Sequence, residues 1–158
     1  MKKNSIILTG IRIDNVSMKE AVQRISALVS ARKPSYVITP NADHMVKLRS
    51  DEEFRKIYAE ASLVLADGIA LVWAAHFLGT PLKEKVSGSD LVPEQCKDAA
   101  QKGYKIFLMG GRPGAADKAK AVLERQYPGI RIVGTSCPPQ GFEKDEKENR
   151  RTIARTIY

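Results

Sequence analysis

Cysteine is scarce: Cys96 and Cys137 stand far apart in 158 residues, without C-x-x-C spacing or a run of paired histidines. This argues against a disulfide scaffold and a structural zinc site, and it fits a reducing compartment. No stretch approaches the roughly 18 uninterrupted apolar residues that a membrane-spanning helix needs, so a cytoplasmic location is expected, with room for peripheral attachment. The N-terminal run is basic and then apolar, but Thr9, Gly10 and Arg12 interrupt it, and it reads as a strand rather than a signal peptide. Aromatic residues make up only 6% and are scattered, which leaves no stacking platform for single-stranded nucleic acid. Also missing are a full G-x-G-x-x-G fingerprint, a D-x-D-like carboxylate pair for a divalent metal, and any Ser-His-Asp or Cys-His arrangement.

What is present is enough for one α/β domain. A length of 158 residues with 43% hydrophobic content supports a real core and is short for two domains. A net charge of +8 points to an anionic partner or to a solvated basic face. The basic residues are spread along the chain rather than gathered into a stripe, so nucleic acid is not expected as the partner.

Residues 36–67 organise the rest. Two apolar runs, Tyr36-Val37-Ile38 and Leu63-Val64-Leu65, each end in polar residues that open a helical pattern. That alternation predicts a mostly parallel, Rossmann-like sheet flanked by helices, with ligands at the carboxyl ends of its strands. Around it, residues 6–13 read as a strand with Gly10 as a bulge or turn. Ser17 and Glu20 form a capping box, and Ser50 with Glu53 reads as a second one. Residues 69–78 are apolar nearly all round and predict a deeply buried helix, in which His76 is a satisfied core histidine. Ser89 or Asp90 is expected to cap the next helix, with Pro93 in its first turn. A buried strand over 104–109 leads through Gly110-Gly111-Arg112-Pro113-Gly114 into another helix. A strand over 130–133, an exposed loop over 134–142 and a charged helix from Lys144 complete the pattern. Ile153 and Ile157 open an apolar stripe at the end, from which a missing C-terminal segment is expected.

Strand ends supply the candidate chemistry. Asp67 is a base if it faces a cleft, and otherwise an N-cap of the helix that follows it. Thr39 and Asn41 carry the same two readings. Asp43 and His44 lie one turn further on and either face the cleft or, for His44, make a helix hydrogen bond. The turn at Gly110, Gly111 and Arg112 is either a phosphate cradle or a plain tight turn.

The blocks TPNADH (39–44), LADGIALVWAAHFLG (65–79), VSGSDL (86–91), FLMGGRPG (107–114) and YPGIRIVG (127–134) together resemble the WecG/TagA/CpsF glycosyltransferases, in order and in spacing. The resemblance spans nearly the whole chain. It implies a single catalytic α/β domain over 1–158 that transfers a sugar, with inversion and without a metal cofactor. The implied donor is a UDP-sugar, UDP-N-acetylmannosamine in the branch closest in character. The implied acceptor is undecaprenyl-diphosphate-linked N-acetylglucosamine, as in the linkage unit of wall teichoic acid. Donors carrying N-acetylmannosaminuronic acid or glucose are the alternatives within the family. By similarity Asp67 is the candidate base, while Thr39, Asn41, Asp43, His44, Lys85, Ser89, Asp90, Gly110, Gly111 and Arg112 are candidate substrate contacts.

Two departures accompany it. Lys85 stands where relatives usually carry arginine before V-x-G-x-D, keeping the charge but losing the bidentate fork. A G-x-P-x-Q-E segment and a basic, apolar C-terminal tail do not follow. Peripheral attachment to the inner face of the cell membrane is expected to run through that tail, and a homo-oligomer is compatible with the chain. Outside the family, the residues leave open a nucleotide-binding oxidoreductase using the glycine-rich turn and a non-enzymatic basic binding protein.

Overall fold

The computed structural model describes residues 5–157 as an α/β protein of short parallel strand pairs flanked by helices. The chain forms two compact units, one up to Glu94 and one from Gln95. Among the described residues no helix is long and apolar enough to cross a membrane.

The first unit opens with a hairpin. Strands β1 (Ser5–Leu8) and β2 (Ile11–Asp14) pair antiparallel, with Ile6 opposite Ile13. Thr9 and Gly10, both at positive φ, form a two-residue turn whose twist suits right-twisted strands. Of the two readings of Gly10, bulge or turn, the turn is the one formed, and the expected single strand is an antiparallel two-stranded sheet of its own. Helix α1 (Met18–Ser30) starts at the Ser17–Glu20 capping box, which is fully formed. Its inner side meets a buried cluster that includes Leu63, Leu65 and Val86.

Strands β3 (Val37–Ile38) and β4 (Leu63–Val64) form a parallel pair, Val37 opposite Leu63 and Ile38 opposite Val64. Between them lie α2 (Ala42–Lys47) and α3 (Glu52–Glu60). The second cap sits one residue later than the sequence pattern indicates. Asp51, not Ser50, accepts the Phe54 N–H, because a carboxylate also complements the helix dipole. The buried Asp14 carboxylate ties hairpin to parallel pair, accepting the Val64 N–H at 2.9 Å and pairing with Arg24 at 3.2 Å.

Helix α4 (Ile69–Phe77) departs from expectation. Leu71 and Ala75 enter the core, but Ile69, Trp73 and Phe77 stand in water, and His76 is exposed rather than buried. Uniform apolar composition records that a helix avoids charge; it does not record which side the rest of the chain covers.

Helix α5 (Gly88–Lys102) begins earlier than expected. Ser87 accepts the Asp90 N–H through its hydroxyl and the Leu91 N–H through its carbonyl, so Ser87 is the cap in place of Ser89 or Asp90. Pro93 therefore lies inside the helix rather than in its first turn.

The second unit is built on β5 (Lys105–Met109) and β6 (Arg131–Ser136), a parallel pair with a register shift between Ile106 and Phe107. Helix α6 (Ala115–Gln126) crosses between them. Strand β5 is half-buried rather than buried. Strand β6 runs on through Gly134 to Ser136, where a loop was expected. A methyl group at Gly134 would sit 2.6 Å from the Phe107 ring, so this glycine is what lets the pairing continue. A 3₁₀ turn (Phe142–Lys144) and α7 (Glu146–Ile157) follow. Ile153 on α7 is exposed, and the side chain of Ile157 lies outside the described residues.

Candidate active site

The parallel ladder of β3 and β4 outlasts the strands themselves. The Leu65 N–H donates to the Ile38 carbonyl at 2.8 Å, and the Asp67 N–H donates to the Pro40 carbonyl at 2.9 Å. On the other side the Val86 N–H donates to the Ala66 carbonyl at 3.0 Å. Segments 39–41, 66–68 and 85–90 are thereby laced together at the carboxyl edge, where a parallel sheet presents its loops to ligands.

Asp67 is half-buried there, and its Oδ2 accepts the Gly88 N–H at 3.2 Å. A methyl group on Gly88 would come within 3.3 Å of Thr39 Oγ1 and 4.0 Å of Asp67 Oδ2. The Thr39 hydroxyl and the Asp67 carboxylate thus close on the same glycine. The alternative reading of Asp67 as cap of its own helix is corrected: the residue before α4 is Gly68, and it makes no side-chain capping bond. The carboxylate instead sits at the start of α5, two segments away in sequence, where the helix dipole favours a negative charge.

Lys85 and Asp90 occupy the same edge and bind each other, Nζ to Oδ2 at 2.9 Å. The Ser87 hydroxyl donates to Asp90 at 2.5 Å and, with Lys85, holds this carboxyl below the usual carboxylate range. Ser89 Oγ lies 3.1 Å from Ser87 Oγ. An arriving anion meets Lys85 already partnered by Asp90. Both side chains are largely in water, so exchanging that partner costs little.

Asn41 takes its capping role: its Oδ1 accepts the His44 N–H at 3.1 Å at the start of α2. Asp43 is exposed in the first turn of that helix. His44 follows the helix alternative, with Nδ1 2.7 Å from the Tyr58 hydroxyl and its ring edge-on to Phe54. Burial of Tyr58 pushes its hydroxyl up to about 12, so the phenol keeps its proton across the physiological range. Gly88 and Ser87 escaped the sequence reading of the site. The signal was present as S-x-x-D at residues 87–90, a capping pattern that marks where a helix end meets the sheet.

In the second unit, residues 110–114 carry glycines at positive φ at positions 110, 111 and 114, and the backbone turns straight into α6. Arg112 is exposed, while the Cys137 thiol donates to the Gly111 carbonyl at 3.1 Å. Asp117 stands in the first turn of α6 and accepts the Thr135 hydroxyl at 2.5 Å, so this helix start already holds a carboxylate. Among the described residues no three His, Cys, Asp or Glu side chains gather as a metal site requires.

Comparison with known proteins shows what the chain is similar to. The family described as "Glycosyl transferase WecG/TagA/CpsF family" matches residues 6–157. Among curated proteins, the N-acetylglucosaminyldiphosphoundecaprenol N-acetyl-beta-D-mannosaminyltransferases of Staphylococcus aureus strains NCTC 8325 / PS 47, COL and MRSA252 are each 26% identical over 125 residues. The match covers 78% of this chain and 49% of each relative, so the chain spans about half the length of the curated relatives it matches.

Proposed function

Because this chain belongs to the WecG/TagA/CpsF glycosyltransferase family, we propose that it moves N-acetylmannosamine from UDP-N-acetylmannosamine to undecaprenyl-diphosphate-linked N-acetylglucosamine, with inversion. The donor and acceptor follow the printed activity of the Staphylococcus aureus relatives. The observation that carries the reading is the Asp67 carboxylate at the edge of β3 and β4, beside Thr39 and over Gly88.

In this mechanism Asp67 accepts the proton of the acceptor hydroxyl as that oxygen bonds to the anomeric carbon. The bond from the anomeric carbon to the diphosphate oxygen breaks, and UDP leaves with the electron pair. Lys85 meets the developing negative charge by turning from Asp90 to the diphosphate, which takes no metal. Thr39 positions the sugar next to the carboxylate. The reaction takes place at the cytoplasmic face of the membrane, where a polyprenyl-linked acceptor is held.

A transfer assay with lipid-linked N-acetylglucosamine and a panel of UDP-sugars tests the reading. Incorporation of N-acetylmannosamine is expected. Transfer from UDP-glucose or the uronic acid in its place would replace the donor and keep the chemistry, and failure with every UDP-sugar would overturn the proposal.

A further inference from the structure

Tyr58 on α3 is a phenol with one proton to give, 3% exposed and kept protonated by its burial. Its hydrogen-bond partner among the described residues is His44 Nδ1, at 2.7 Å. That bond has two conceivable directions, and burial decides between them. If Nδ1–H donated to the phenol, the phenol's own proton would be left unpaired inside the core, which buried hydroxyls avoid. The phenol therefore donates, Nδ1 accepts, and His44 is fixed as the neutral tautomer that carries its proton on Nε2. Packing fixes the ring as well. Its plane stands at 80° to Phe54 and 89° to Tyr58, with centroids 5.5 and 6.3 Å away. Phe54 and Tyr58 are edge-on to each other at 5.1 Å and pack into the core that also holds Val64 and Ala66.

Helix α2 has little else to hold it. None of its six residues is buried, and only His44 and Met45 are partly so. Met45 adds packing and a weak sulfur acceptor for the Thr9 hydroxyl. Arg55 holds the far end of the helix by donating to the Leu48 and Arg49 carbonyls. The near end is held by His44 on Tyr58. There the His44 N–H donates to Asn41 Oδ1 at 3.1 Å, and the Pro40 carbonyl accepts the Asp67 N–H at 2.9 Å. One line of bonds thus runs from the core through Tyr58, His44 and segment 39–41 to the backbone of Asp67. We infer that His44 is a positioning residue: through Tyr58 it sets segment 39–41, and with it Thr39, against Asp67. This role rests on the transfer reaction proposed for that edge, and in it no ring atom of His44 touches the substrate.

The chain has two histidines, His44 and His76, so ring-nitrogen spectra of protein carrying isotope-labelled histidine are simple to assign. At neutral pH His44 is expected as a single tautomer with an unprotonated Nδ1, and Tyr58→Phe should turn it into a mixture. In the same variant the His44 and Asp67 amide hydrogens, whose acceptors lie in segment 39–41, should exchange at least about tenfold faster. Turnover of Tyr58→Phe should fall about 10- to 100-fold with KM for the UDP-sugar within about threefold, since displaced reacting groups lower kcat first. Substitutions at position 44 separate the two ends of the ring. An asparagine amide stands where Nδ1 was, and a glutamine amide stands nearer Nε2. His44→Asn should keep turnover within about fivefold of wild type, whereas His44→Gln should be as slow as His44→Ala. If the wild type transfers no UDP-sugar, the proposed function falls, while the tautomer and the amide exchange, which need no substrate, still decide the positioning. A protonated Nδ1 in the wild type, unchanged exchange in Tyr58→Phe or wild-type turnover by that variant overturns the proposal. Better rescue by glutamine than by asparagine makes His44 a direct substrate contact and overturns it too. So does an equal loss with all three substitutions and equally lowered melting temperatures, which reduces the ring cluster to packing.

Discussion

At the scale of single residues, the account turns on how little space Asp67, Thr39 and Gly88 leave one another. A methyl group at Gly88 is compatible with the backbone but would press on Thr39 Oγ1 at 3.3 Å. Gly88→Ala should therefore leave stability within about 1 kcal/mol, since alanine favours a helix more than glycine does. It should lower kcat by moving the threonine; thermal melts and steady-state kinetics on one preparation separate the two effects, and unchanged kcat would detach Gly88 from the site. Residues 39, 41 and 67 were legible in the sequence because an apolar run that ends in Thr, Asn or Asp is what a strand end looks like. The partner of Asp67 was not legible. Gly88 lies 21 residues away, and nothing local to Asp67 says that its carboxylate will serve α5 instead of α4.

At the scale of elements, helix starts were found to within a residue or two, and the misses share a cause. Where several capping residues stand in a row, as at Ser50-Asp51 and Ser87-Gly88-Ser89-Asp90, tertiary contacts choose among them. The Ser17 box was unambiguous and formed as read. Its Glu20 has a further partner: Lys83 Nζ at 2.6 Å, which with the Ser17 N–H lowers the Glu20 carboxyl to about 2. The folded value lies below the ordinary one, so this contribution is present above about 4.5 and is lost as pH falls toward 2. Melting temperature against pH for wild type and Glu20→Gln should show a gap that narrows through this window; a constant gap would contradict the coupling. Helix α4 was misjudged for a different reason. Its exposed Ile69, Trp73 and Phe77 and its buried Leu71 and Ala75 are equally apolar, so composition does not record which side the chain covers.

At the scale of the whole molecule, the family resemblance and the α/β architecture were both legible, because five separated blocks and the strand–helix alternation point the same way. The turn from β5 into α6 was legible as a turn; that Asp117 and Thr135 occupy its helix start was not. In the proposed reaction the cationic charge that receives UDP comes from side chains such as Lys85. Adding a chelator such as EDTA should therefore change turnover less than about twofold, since oriented protein charges supply the electrostatic stabilisation; strong inhibition, reversed by a divalent cation, would contradict the metal-free mechanism.

The most direct measurement is kcat for Asp67→Asn beside its affinity for UDP. Asparagine keeps the shape and can still accept the Gly88 N–H, but it cannot take a proton. The account predicts that kcat falls by about 10²- to 10⁴-fold while UDP affinity stays within about threefold of wild type. Near-normal turnover by the folded variant would contradict it.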